Sequence, residues 1–329
     1  MFSSKNLVIT GGTGYFGRSF VKYCIKNKLN FKKVIIFSRD EFKQYEMQKV
    51  YDPKKYKFLR YFLGDIRDQD RLKTAFNDVD FVIHAAALKH VPAAEYNPIE
   101  FVKTNIFGSQ NIIEASINNN VKKVVALSTD KAASPLNLYG ATKLCLEKLF
   151  VSANNVVGNK DIKFSCVRYG NVLGSRGSVL PLFLEQNKKQ DYFTITDSKM
   201  TRFNIMIDDA IKMLLYSLKS KNNSDIIIPK IPSIKITDLA KAINPKKKVK
   251  YIGVRPGEKL HEELLTAEES LKTYDNGKYY IIQHYNLLNK KAKKFKSLNL
   301  KFGYNSFNNK FLSLTQIKSC LNRLINEKD

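Results

Sequence analysis

The sequence predicts an α/β fold, a doubly wound parallel sheet with a smaller α/β portion for binding a substrate. Two observations carry this. Apolar, β-rich runs recur at residues 7–10, 34–37, 58–63, 81–84, 124–127 and 164–167 with helical patterns between them, and strands alternating with helices build a parallel sheet. The first run leads directly into Gly11-Gly12-Thr13-Gly14-Tyr15-Phe16-Gly17, followed by the helical pattern Phe20, Val21, Cys24, Ile25. Gly12, Gly14 and Gly17 satisfy G-x-G-x-x-G, and Gly11, Gly14 and Gly17 satisfy G-x-x-G-x-x-G. Missing side chains let the backbone turn tightly and approach a pyrophosphate seated on the helix N-terminus. With strand and helix flanking it correctly, the turn reads as the cofactor fingerprint of a Rossmann sheet. No repeat of 20–50 residues competes with this architecture.

The chain has 329 residues and is 43% hydrophobic, enough for one large domain or two modest ones. Residues 1–170 read as the cofactor-binding part, with later segments returning to it, and residues 171–329 mainly as the substrate-binding part. No Pro/Gly/Ser linker marks the boundary. The net charge is +26, but the lysines are scattered and no nucleic-acid motif appears, so no nucleic-acid partner is expected. The charge reads as solvated lysine faces plus a basic cleft that would attract a nucleotide-sugar diphosphate. The most basic segment, at 290–296, reads as a solvated loop or helix face. No stretch is long and apolar enough to span a membrane. Cys24, Cys145, Cys166 and Cys320 form no C-x-x-C pair; free thiols in a reducing cytosol are expected, with no zinc site.

In chain order, the run at 34–37 ends in Ser38-Arg39-Asp40, about twenty residues past the glycines, where a ribose partner belongs. Arg39, with Ser38 and Lys43, would accept a 2′-phosphate, which selects NADP; Asp40 could instead bond a free 2′-hydroxyl. The run at 58–63 ends in Gly64-Asp65. Asp65 could accept from the adenine amino group with Ile66 against the ring, or cap a helix over 67–76. The run at 81–84 leads into Ala85-Ala86-Ala87, small enough for a cofactor to lie close. Lys89 and His90 follow, either as a surface pair or facing a substrate. Asn105 opens a helix running to 117.

The stretch 128–143, S-T-D-K-A-A-S-P-L-N-L-Y-G-A-T-K, holds the candidate chemistry: Thr129, Asp130, Lys131, Tyr139 and Lys143. It begins at the carboxyl end of the strand at 124–127, where open α/β sheets bind ligands. Tyr139 and Lys143 lie four apart on one helix face. An ammonium beside the phenol favours the phenolate, so the pair is either a base or an ordinary exposed helix pair.

With G-G-T-G-Y-F-G, H-A-A-A and Y-G-A-T-K in place, the chain resembles the extended short-chain dehydrogenase/reductase family. Six further motifs narrow this: S-R-D-E-F-K-Q-Y-E-M, A-A-A-L-K-H-V-P-A-A-E-Y-N-P, S-T-D-K-A-A-S-P, R-Y-G-N-V-L-G-S-R-G-S-V, M-T-R-F and R-P-G-E-K-L-H-E. They resemble the soluble UDP-N-acetylglucosamine 4,6-dehydratases, and within them the inverting kind that opens pseudaminic acid synthesis. Related dehydratases carry T-D-E where this chain has Thr129-Asp130-Lys131, and membrane-anchored relatives often carry Met in place of Tyr139.

The resemblance implies NADP as cofactor, UDP-N-acetylglucosamine as substrate, a homo-oligomer and a cytoplasmic location. It places the cofactor on Gly11, Thr13, Gly14, Tyr15, Phe16, Gly17, Ser38, Arg39, Asp40, Lys43, Asp65, Ile66, Ala85, Ala86, Lys89, Tyr139 and Lys143. It places the substrate on Lys89, Asn171, Arg176, Val179, Thr196, Arg202, Arg255, Glu258 and Asn308. Arg255 offers a planar fork to a diphosphate and Glu258 an acceptor to ribose hydroxyls; otherwise the two would form an exposed ion pair. In the implied reaction Tyr139, helped by Lys143 and Thr129, takes the O4 proton, Lys131 is the C5 base and Asp130 the acid at C6, roles that could be exchanged. Both need shifted pKa values: Asp130 raised by burial, Lys131 lowered by burial or a neighbouring cation. A nucleotide-sugar 4-epimerase, a retaining 4,6-dehydratase and a non-catalytic NADP-binding protein are the alternatives.

Overall fold

The computed structural model describes residues 2–175, 177–220, 225–283 and 296–326. Arg176 and residues 290–295 of the basic run lie outside the described residues. Among those described, no helix is long and apolar enough to cross a membrane.

Six parallel strands come first: β1 (Asn6–Thr10), β2 (Lys33–Ser38), β3 (Leu59–Leu63), β4 (Phe81–His84), β5 (Lys123–Thr129) and β6 (Lys163–Tyr169). They order as β3-β2-β1-β4-β5-β6, and the sheet continues through Asp225–Pro229, Tyr279–Gln283 and Thr273–Asp275. Asp225–Pro229 is parallel to β6, while the last two strands run antiparallel. Those last two were not foreseen from the sequence. The strand order reverses between β1 and β4, which opens a crevice at their carboxyl ends.

Helices cover both faces, so the inner strands are apolar without alternation. One face packs Val8, Ile35, Val82, Val124 and Phe164 against Ile112, Leu146 and Phe150. The other packs Leu7, Ile9, Ile36 and Val125 against Phe20, Val21, Ile211 and Leu214. A third cluster lies outside the sheet and joins Leu180, Phe183, Phe193, Ile234 and Leu239.

Arg168, in β6, interrupts the apolar pattern and is fully buried. Its guanidinium donates to Glu147 at 2.9 and 2.6 Å, to Glu269 at 2.7 and 2.8 Å and to the Leu264 carbonyl at 3.0 Å. Glu147 lies on helix Leu138–Ala153, the helix that carries Tyr139 and Lys143. Arg168 therefore ties that helix to the segment returning at Leu264–Glu269.

Two local departures from the sequence reading, at Asn105 and Asp65, have physical causes. The expected helix from Asn105 is instead Gly108–Asn118, preceded by a π-helical turn at Val102–Phe107. Asn105 sits inside that wider turn. Its amide exchanges hydrogen bonds with both backbone groups of Leu88 (2.9 Å each) and donates to Thr142 Oγ1 at 3.0 Å, so the π turn fastens the loop after β4 to helix Leu138–Ala153. Asp65 does not cap a helix: Asp68 caps Gln69–Ala75 by accepting from the Arg71 amide. The tail, polar in composition, closes with helix Leu314–Asn326, whose Ile317 and Leu321 complete the third cluster.

Candidate active site

β1 hands over to helix Tyr15–Lys26 through the glycine turn, with Gly14 as N-cap and no side chain capping the first turn. Such a helix end leaves N–H groups for an anion. A Cβ on Gly17 would lie 2.1 Å from the Gly12 carbonyl oxygen, so only glycine lets helix and turn pack this closely. Tyr15 and Phe16 turn their rings partly into the core and Thr13 is buried, so the turn presents mainly backbone. Ala86 N–H donates to Thr10 Oγ1 at 3.3 Å, which holds Ala85-Ala86 beside the glycines. Arg18 was overlooked in the sequence. It donates to the Thr13 carbonyl at 3.1 Å and the Lys43 carbonyl at 3.3 Å, linking the turn to the next helix; its place right after Gly17 was the available signal.

At the end of β2, the Ser38 hydroxyl accepts from the Gln44 amide at 3.1 Å. Asp40 is the N-cap of helix Glu41–Val50: it accepts from the Lys43 amide at 2.9 Å and pairs with the Lys43 ammonium. Asp40 and Lys43 thus pair with each other at the end of β2, beside Arg39. Arg39 is half exposed and meets Asp65 at 3.7 Å. Burial acts against the Asp65 charge, but hydrogen bonds from Arg67 and the nearby Arg39 hold its carboxyl below the usual range. Ile66, expected against the adenine, is 4% exposed and belongs to the core. Lys89 is exposed on the loop after β4.

β5 ends at Thr129 and passes into the tight turn Asp130–Ala132. Helix Leu138–Ala153 packs onto this turn so closely that a Cβ on Gly140 would lie 2.3 Å from the Lys131 carbonyl oxygen. Asn137 caps the helix at the Gly140 amide and donates to the Gly257 carbonyl at 2.7 Å. Thr129, Asp130, Lys131 and Tyr139 are thus brought together. Thr129 Oγ1 and Lys131 Nζ both donate to Asp130 Oδ1, at 2.9 and 3.1 Å. Asp130 Oδ2 is buried without a protein partner.

Burial, together with Glu262, raises the Asp130 carboxyl above its ordinary value, against the opposing pull of Lys131 and Thr129. Lys131 departs from expectation. Burial disfavours its charge, but Asp130 and Glu262 overcome that and hold it as an ammonium. Burial pushes the Tyr139 phenol up to about 12, with Lys131 and hydrogen bonding to Thr129 pulling it back. The cation acting on Tyr139 is therefore Lys131. Lys143, expected in that role, donates to the Leu127 carbonyl at 2.7 Å, and burial lowers its own value to about 8.

The expected substrate residues divide. Asn171 lies on Asn171–Val172, which pairs with Thr201–Ile205, and its Oδ1 is buried without a partner. Arg202 approaches the Asp130–Lys131 cluster: it donates to Glu258 at 3.2 Å and lies 3.8 Å from Glu262. Glu258 pairs with Arg202, so the sequence alternative of an Arg255–Glu258 pair is not formed; Arg255 is exposed. Val179 opens helix Val179–Lys189 against the third cluster, Thr196 follows strand Tyr192–Ile195, and Asn308 is exposed in a turn whose amide donates to Asn305. None of these three joins the cluster of Thr129, Asp130, Lys131 and Tyr139. Glu262, unassigned in the sequence although it ends R-P-G-E-K-L-H-E, meets Lys131 at 2.9 Å.

The polysaccharide biosynthesis protein family matches residues 7–284. The chain is 54% identical over 286 residues to UDP-N-acetylglucosamine 4,6-dehydratase (inverting) of Campylobacter jejuni strain 81-176, covering 86% of this chain and 84% of that protein. It is 41% identical over 331 residues to UDP-glucose 4-epimerase of Rickettsia bellii strain OSU 85-389, covering 98% and 96%. Among solved structures, Pen from Bacillus thuringiensis superposes with a TM-score of 0.88 at 39% identity, covering 98% of this chain and 99% of that one.

Proposed function

Because the chain belongs to the polysaccharide biosynthesis protein family, within the extended short-chain dehydrogenases/reductases, we propose that it is an NADP-dependent UDP-N-acetylglucosamine 4,6-dehydratase that inverts C5. The product would be UDP-2-acetamido-2,6-dideoxy-β-L-arabino-hexos-4-ulose, which opens pseudaminic acid synthesis. The observation that carries this reading is the pairing of buried Asp130 with partly buried Lys131, 3.1 Å apart, on the turn packed against the Tyr139 helix. Exchanging configuration at C4 alone would not need a second acid and base.

A bound nicotinamide would supply the hydride acceptor for C4 and the hydride donor for C6. Tyr139, with Thr129 and Lys131 beside it, takes the O4 proton. The C4 ketone acidifies C5–H, and Lys131 removes that proton. Asp130, its carboxyl raised by burial, is the acid at C6. Oδ1 already accepts two hydrogen bonds and Oδ2 has no partner, so Oδ2 is the oxygen from which a proton would pass to the C6 hydroxyl as it leaves as water. C5 is then protonated from the opposite face.

The test is incubation of pure protein with UDP-N-acetylglucosamine. A 4-keto-6-deoxy sugar with no accumulating NADPH absorbance is expected. Stoichiometric NADPH release would indicate an ordinary dehydrogenase, and a C4 epimer alone would favour the epimerase reading that the Rickettsia relative brings.

NADP is preferred over NAD because Arg39 is accessible at the end of β2 while Asp40 is occupied by its cap. Arg39→Ala should weaken NADP binding by roughly ten- to a hundredfold, the worth of a charge-assisted hydrogen bond, and leave NAD nearly unchanged. Equal weakening of both in titrations would remove Arg39 from this role.

A further inference from the structure

Lys131 has two anionic neighbours, and Glu262 is the closer, at 2.9 Å against 3.1 Å for Asp130. Glu262 is 2% exposed. Its backbone is pinned by Ser306: the Glu262 amide donates to Ser306 Oγ at 2.9 Å, and the Ser306 amide donates to the Glu262 carbonyl at 2.8 Å. Its Oε2 is buried without a partner. On its other side Glu262 lines an open cavity of about 380 Å³ with Ser134, Lys259, His261 and Phe307. Burial acts against its charge, but Lys131, Arg202 and Lys259 hold its carboxyl below the usual range, so it faces Lys131 as a carboxylate with one oxygen on the ammonium and the other unused.

We propose that Glu262 is a positioning residue that takes a proton from Lys131, leaving the neutral amine that C5 deprotonation requires. This rests on the dehydratase reading. Asp130 cannot serve instead, because it must arrive protonated to release the C6 hydroxyl, and one carboxyl cannot both deliver and receive in the same step.

The protons balance. One moves from Lys131 Nζ to Glu262 Oε1, and rotation about Cε–Nζ turns the lone pair toward the sugar. The amine takes the C5 proton and becomes an ammonium while the C6–O bond breaks and Asp130 supplies the proton that completes water. Lys131 then passes a proton to Asp130 and recovers one from Glu262, restoring all three groups. The new C5 proton comes from solvent.

Glu262→Gln keeps the shape but cannot take the proton. In a single turnover with NADP⁺ and UDP-N-acetylglucosamine in heavy water, the variant should still oxidise C4, read as nicotinamide reduction, within about threefold of wild type. Deuterium uptake at C5 and 6-deoxy product should fall about a hundredfold or more, and Glu262→Asp should recover part of that loss. A purely structural role would depress both half-reactions together. Wild-type C5 exchange in Glu262→Gln, or parallel loss of both halves, overturns the proposal. A wild-type protein that makes no 4-keto sugar overturns the dehydratase reading first, and this proposal with it.

Discussion

Lys131→Ala is expected to retain C4 oxidation but to lose 6-deoxy product by about a hundred- to ten-thousandfold, the usual contribution of a general base. Tyr139 acts at O4 before C5 chemistry begins, so nicotinamide reduction in a single turnover should still occur. It should require higher pH, because Lys131 is the cation that pulls the buried Tyr139 phenol down. In heavy water the wild-type product should carry deuterium at C5, while the hydrogen added at C6 should come from substrate C4. A Lys131→Ala protein that forms product near the wild-type rate, or a wild-type product that keeps its original C5 hydrogen, would remove Lys131 from the chemistry.

The second large effect is on stability. Arg168→Leu should destabilise the protein by about 3–5 kcal/mol, because it leaves a buried carboxylate without its counter-charge. Glu147 is fully buried and accepts from Arg168 at both of its carboxylate oxygens. Glu269 is better placed to tolerate the loss: it is partly exposed and retains its capping-box partner Thr266. Glu269→Gln should accordingly cost less than Arg168→Leu. Urea unfolding would show the difference as a lower midpoint at an unchanged slope. A loss for Arg168→Leu under about 1 kcal/mol would mean that water reaches Glu147, contrary to its burial.

How much could be read from the sequence follows from the range of each interaction. Strands covered on both faces write continuous apolar runs, so the run at 81–84 coincides with β4 and the others fall within a residue or two of theirs. The glycine turn was legible because close backbone approach needs glycine at fixed spacing. Lys131 was legible as a chemical group but its charge state was not, since that depends on Glu262, distant in sequence, and an ion pair across such a distance leaves no spacing signature. The Tyr139–Lys143 spacing correctly placed both residues on one helix, but spacing does not reveal that the ammonium turns to the Leu127 carbonyl. Asp65 looked like a cap because a carboxylate before a helix usually is one. Here it closes its own short turn with the Arg67 amide, and Asp68 takes the cap. The closing helix was missed because only a narrow stripe, Ile317 and Leu321, is buried.

The sheet order also governs how the chain can be assembled. β6 is buried along nearly its whole length and is flanked by β5 on one side and Asp225–Pro229 on the other. A chain synthesised only as far as Tyr169 has all the strands that flank the crevice, yet its last strand presents a bare apolar edge with unsatisfied N–H and C=O groups. Such an edge is a template for pairing with other chains. It stays uncovered while more than fifty further residues are made, and the two antiparallel strands that finish the sheet come later still. Long-range pairing of this kind is slow and exposes the intermediate to aggregation. The interval between β6 and its partner is therefore where a nascent chain most needs protection, and a piece cut at that point would be a poor substitute for the whole.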